Sequence, residues 1–157
     1  MFLPDLTPNH SHALLRQRNG TTTPSDEWTI WRELPIFRHL SPESLTKFQK
    51  VSYQRAFPAG FTILTIERPT EFVYIILRGT IKIRALHEDG SEVILAILGP
   101  GEIVGDIIDE AQLSYVSMVE TVEETTLLWL TRDDFQACLQ SMPTLSYNVV
   151  QSLARRL

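Results

Sequence analysis

The 157-residue sequence holds one cysteine, Cys138. That excludes an intramolecular disulfide framework and any iron–sulfur cluster or zinc site built on four thiolates of this chain. Histidine is sparse too: His10, His12, His39 and His87 are spread along the chain, and the His10/His12 pair has no third ligand nearby. Positive charge is in deficit, with 14 Lys and Arg against 19 Asp and Glu and a formal net charge of −5. A self-sufficient nucleic-acid binder carries the opposite balance. No apolar run approaches the ~18 residues that span a bilayer. The opening Met1-Phe2-Leu3-Pro4-Asp5 lacks the charged-then-apolar layout of a signal peptide. A Gly-rich P-loop, a dinucleotide fingerprint and a nucleophile elbow are all missing. These absences speak against an enzyme, a resident metal or cofactor and a membrane anchor, and a lone cysteine fits a cytoplasmic location.

What is present suits one globular domain: 43% hydrophobic and 21% charged residues in a chain long enough to bury a core without staples. Three zones follow one another. Residues 1–26 carry Pro4, Pro8, Gly20, Thr21, Thr22, Thr23 and Pro24 with little apolar periodicity, and read as a flexible arm. A helical zone then runs to about Lys50. Within it Leu34-Pro35-Ile36-Phe37 forms an apolar hook, and Ser41-Pro42-Glu43 reads as a helix start of hydroxyl cap, proline and acid.

Between about 52 and 130 the period changes to two. Six of the seven glycines (Gly60, Gly79, Gly90, Gly99, Gly101, Gly105) fall there, punctuating β-branched runs at 61–66, 71–77, 80–86, 92–98, 117–122 and 125–130. Asp89-Gly90 between two of them is a hairpin signal. Many short strands at regular spacing predict a sandwich, barrel or jelly roll. After Thr131-Arg132-Asp133-Asp134, an acidic capping box, the helical period returns with Phe135, Cys138 and Leu139. Met142-Pro143 breaks it. A second helix then places Leu145, Val149, Leu153 and Leu157 on one stripe, an expected seam for self-association.

The stretch Gly99-Pro100-Gly101-Glu102-Ile103-Val104-Gly105-Asp106 is the chemically suggestive one. Its glycines let backbone approach a ligand and present N–H groups to an anion. The same spacing also suits plain turns between strands.

From residue 35 to 157 the order of motifs resembles the cyclic AMP receptor protein/FNR superfamily. The matching segments are Phe57-Pro58-Ala59-Gly60, Val73-Tyr74-Ile75-Ile76-Leu77-Arg78-Gly79-Thr80, Glu88-Asp89-Gly90-Ser91-Glu92, the glycine stretch above, Thr131-Arg132-Asp133-Asp134-Phe135 and Leu153-Ala154-Arg155-Arg156-Leu157. The resemblance implies a mainly β, antiparallel double-stranded β-helix (jelly roll) of the cyclic-nucleotide-binding type with flanking α-helices. It divides the chain into the arm at 1–26, a β-roll domain at 27–142 and, at 143–157, the start of a dimerisation helix; the helix-turn-helix domain that follows in the family is absent.

It also implies a site that departs from the family. Gly105 matches the glycine of the phosphate cassette, and Asp106 stands where a glutamate would reach the ribose. Tyr115 occupies the arginine position that pairs with the phosphate, and Val116 the hydroxyl position after it. Ile83, Ala96 and Leu98 are placed as pocket wall or as plain core. A phenol offers one neutral donor in place of a guanidinium fork. Hydrogen bonds to charged groups contribute about 1.5–3 kcal/mol, so phosphate binding should weaken by roughly ten- to a hundredfold or more. The site is degenerate and cyclic AMP is a doubtful ligand. The expected function is effector sensing in a transcription regulator: a small ligand in the β roll, a homodimer through the C-terminal helix, and DNA contacted only through a domain outside this chain. A stand-alone interaction module is the alternative.

Overall fold

The computed structural model describes residues 24–65, 72–87, 89–105 and 118–155. Helix α1 spans Pro24–Glu33, followed by a 3₁₀ hook at Pro35–Phe37 and helix α2 at Pro42–Val51. Strands follow at Tyr53–Phe57 (β1), Thr62–Thr65 (β2), Phe72–Arg78 (β3), Ile81–Leu86 (β4), Glu92–Leu98 (β5), Ile103–Val104 (β6), Met118–Thr121 (β7) and Thr125–Thr131 (β8). Helices α3 (Arg132–Ser141) and α4 (Pro143–Ala154) complete the described chain. The flanked β roll is therefore present. Helix α1 begins at Pro24, inside the segment expected to be an arm, because proline's fixed φ suits a first helical turn.

Both sheets are antiparallel and four-stranded, ordered β1-β8-β3-β6 and β2-β7-β4-β5. The first sheet is buried on both faces. Val73, Ile75 and Leu77 of β3 and Leu128 and Leu130 of β8 meet the helices, while Phe72, Ile76, Leu127 and Trp129 point between the sheets. Two-sided burial explains why these strands read as continuous apolar runs. The second sheet is one-sided. On β4, Ile81 is buried and Ile83 packs on the inner cluster, while Lys82 and Arg84 alternate with them and form ion pairs with Glu120 of β7 at 3.2 Å each.

The expected helix starts are observed as caps. Ser41 Oγ accepts from the Ser44 amide at 3.1 Å, and Thr131 Oγ1 accepts from the Asp134 amide at 3.0 Å. The Asp89-Gly90 signal is a real hairpin: Leu86 pairs with Glu92, and Asp89 Oδ1 accepts from the Ser91 amide at 2.8 Å across the turn. Those bonds from Ser91 hold the Asp89 carboxyl below its ordinary value.

One expectation needs correction. Leu145 and Val149 do not form a free seam; both are buried in the chain's own core beside Trp31, Phe37 and Phe135, and Leu153 packs against the same cluster. The apolar side chains that α4 exposes are Tyr147 and Val150. The helix amphipathicity was read correctly, but the apolar stripe serves the domain's own core first.

Candidate functional site

Ile83, Ala96 and Leu98 come together. The β4–β5 register sets Ile83 opposite Ala96 and Ile81 opposite Leu98, so all share the inner face of the second sheet. Leu98 is buried, and Ile83 and Ala96 are partly buried against the cluster between the sheets. The family resemblance had placed these three residues together. The structure thus shows these residues as core packing between the sheets.

That cluster is more aromatic than the sequence reading anticipated. Tyr53 stacks on Trp129 with centroids 5.9 Å apart, Tyr74 lies 6.3 Å from Trp129, and Phe57 sits 4.7 Å from Phe61 and 5.8 Å from Trp129. Strand β1, which contributes Tyr53 and Phe57, was missed. Its sequence Tyr53-Gln54-Arg55-Ala56-Phe57 alternates, yet Arg55 at an inward-phase position masked the signal. The guanidinium of Arg55 lies 5.6 Å from the Phe57 ring centroid, a cation–π arrangement.

Gly105 follows β6, whose Val104 pairs with Tyr74 and belongs to the inner cluster. The cassette glycine therefore sits at the end of the strand bordering this interior. Gly105 has φ +106, a conformation that disfavours any side chain. The remaining proposed site residues, Asp106, Tyr115 and Val116, lie outside the described residues.

The preceding glycine turn behaves differently from expectation. The Gly101 amide donates to Ile76 O at 2.7 Å, the Glu102 amide to Gly99 O at 3.2 Å, and the Gly99 amide to the Glu102 carboxylate. Those donors are committed to the protein and present nothing to an anion. Gly101 serves packing: with φ +86, a Cβ added there would lie 3.2 Å from Pro35 Cδ, so the turn backs closely onto the hook.

Two side chains connect this region to the helices, and sequence reading assigned neither that role. Arg132, taken as part of a capping box, donates from Nη2 to Gly105 O. Asn148 of α4, 8% exposed, donates from Nδ2 to Ile36 O at 2.9 Å and Arg38 O at 2.8 Å, latching the hook to α4. Arg84 is engaged by Glu92 and Glu120 on the outer face. Among the described residues no group of three or more His, Cys, Asp or Glu is placed to hold a metal, and no helix is long and apolar enough to cross a membrane.

Comparison with known proteins places this architecture. The family model for the cyclic nucleotide-binding domain matches residues 54–142. A cyclic AMP receptor protein of Thermus thermophilus is 33% identical over 125 residues, covering 78% of this chain and 57% of its own length. A CRP-like cAMP-activated global transcriptional regulator of Mycobacterium tuberculosis is 29% identical over 122 residues, covering 78% and 54%. The chain thus spans little more than half of these relatives. Among solved structures, the Thermus thermophilus catabolite activator protein superposes with a TM-score of 0.61 at 30% identity, covering 78% of this chain and 57% of that one. The sensor domain of the regulator DNR from Pseudomonas aeruginosa gives 0.65 at 21% identity, covering 85% and 90%. With the two-sheet roll, the flanking helices and the motif order in agreement, the chain belongs to the cyclic nucleotide-binding domain family and is similar to the corresponding part of CRP-type regulators.

Proposed function

We propose that this domain senses a small anionic effector in the β roll of a transcription regulator and signals through α3 and α4. The observation that carries the reading is the meeting of an apolar, aromatic interior (Ile83, Ala96, Leu98, Tyr74, Trp129) with the positive-φ Gly105 at the end of β6. An interior of this kind suits a ligand with a flat apolar body, and backbone N–H groups from Gly105 onward suit an anionic end. DNA is contacted through a separate domain, and the working form is a homodimer whose contact includes the exposed face of α4. No metal or organic cofactor takes part.

The effector differs from cyclic AMP, because Tyr115 stands at the arginine position of the family's cassette. Desolvating a cyclic phosphate without a guanidinium leaves the Kd for cyclic AMP or cyclic GMP on the order of 0.1 mM or weaker. Calorimetry on the chain and on a Tyr115→Arg, Asp106→Glu, Val116→Ser variant tests this. The expected result is weak binding by the former and at least tenfold tighter binding by the latter, a gain of about 1.4 kcal/mol. Micromolar binding of cyclic AMP by the unaltered chain would overturn it.

A further inference from the structure

We propose that Arg132 is a positioning residue that ties the mouth of the candidate ligand site to the first turn of α3, so that movement of Gly105 is passed to the C-terminal helices. This rests on the sensing reading above and assigns it a mechanical link.

Arg132 is the first residue of α3, directly after β8, and its Nη2 donates to Gly105 O. Gly105 is buried at the end of a short strand. Strand β6 is two residues long, with Ile103 opposite Ile75 and Val104 opposite Tyr74 of β3, and the Ile76 amide donates to Glu102 O just before it at 3.0 Å. At φ +106 its backbone has the freedom that glycine alone supplies. A guanidinium donor is stronger than a neutral one, and its planar fork loses little freedom in holding a carbonyl. The bond therefore sets where the chain leaves the roll.

At its other end the tether is anchored. Thr131 caps α3 through the Asp134 amide. Phe135 and Cys138 of α3 lie in the same buried cluster as Leu145 and Val149 of α4, and Ser146 Oγ donates to Leu139 O between the two helices. A ligand that displaces Gly105 must carry the first turn of α3 with it or break the Arg132 bond. Either outcome changes the energy of α3 against the roll, which is what coupling between two sites requires.

The test uses the whole chain with Arg132→Met, which keeps the apolar stem and removes the donors, and Arg132→Lys, which restores a charged donor. In the first arm, amide hydrogen exchange is followed by NMR. We expect Val104, paired with Tyr74 just before the tethered carbonyl, to exchange about tenfold faster in Arg132→Met, the loss of one charge-assisted hydrogen bond, with partial rescue in Arg132→Lys. The amides of Leu128 and Leu130 in β8 should keep their rates. Equal acceleration at Leu128 and Leu130 would mark a general loss of stability, and an unchanged Val104 would remove the tether; either overturns the proposal. In the second arm, cyclic AMP is titrated to millimolar concentration as the probe. Shift changes should reach residues 132–141 in the unaltered chain and stay confined to the roll in Arg132→Met. Helix shifts that persist in Arg132→Met overturn the link. No shifts anywhere in the unaltered chain would count against the sensing reading itself, and the exchange arm then decides the tether on its own.

Discussion

Asn148 is one of three buried polar residues in the described chain, with Thr121 and Thr125, and it alone joins the two helical ends of the domain. Its Nδ2 satisfies the carbonyls of Ile36 and Arg38 where the 3₁₀ hook ends and further backbone partners run out. Replacing it with leucine leaves a buried carbonyl without a donor, which costs about 1–3 kcal/mol. Asn148→Leu should lower the urea midpoint by that energy divided by the m-value, at unchanged slope, and an unaltered midpoint would show that the latch carries no energy. Cys138 gives a second prediction at this scale. Burial pushes its thiol up from the ordinary value, and the nearby negative charge of Asp134 adds to the effect. Because the thiolate is the reactive form, the native protein should react slowly with a thiol reagent at pH 8 and rapidly in urea. Native reaction as fast as unfolded would mean that the α3 face opens readily.

At the level of elements, the caps and the alternation made most of the fold legible. Ser41 and Thr131 announce α2 and α3 because hydroxyl caps are local chemistry, requiring only residues three positions apart. Thr131→Ala should therefore cost about 1 kcal/mol, with Thr131→Ser close to neutral, in thermal or chemical unfolding. A Thr131→Ala protein as stable as the parent would mean that α3 is held by packing alone. The shared inner face of Ile83, Ala96 and Leu98 follows the same local rule, since period two assigns faces, although it was the family resemblance that singled these residues out. The two short or polar strands were not. Strand β6 has only two residues, and β1 carries Arg55 and Gln54 among its apolar positions. Least legible were the long-range polar bonds. Nothing in the spacing between residues 105 and 132, or 36 and 148, tells that Arg132 reaches Gly105 or that Asn148 reaches Ile36. Gly101 was misjudged in kind: its amide looked available to a ligand, yet strand β3 and the hook claim both its donor and its space.

For the whole molecule, the division of apolar surface into buried and exposed parts decides where a second copy would bind. Leu145 and Val149 are consumed by the domain's own core, so Leu145→Ala should destabilise the monomer by about 2–5 kcal/mol whatever the oligomeric state. The exposed apolar side chains gather in two places. Tyr147 at 64% and Val150 at 63% exposure lie three residues apart on α4, and Ile94, Leu95 and Ile97 lie on β5. Strand β5 is the edge of its sheet and, among the described residues, pairs only with β4. If the proposed dimer uses α4, Tyr147→Ser with Val150→Lys should weaken self-association in sedimentation runs, and stability should stay within about 0.5 kcal/mol of the parent, as expected for surface changes. Ile97→Lys places charge on an apolar edge and should act differently: it should reduce aggregation at high concentration without altering the specific dimer. A dimer that survives the α4 changes and is lost with Ile97→Lys would move the contact to β5. That would also change the signalling argument, because the partner would then rest on the β4–β5 hairpin, with α4 left outside the interface.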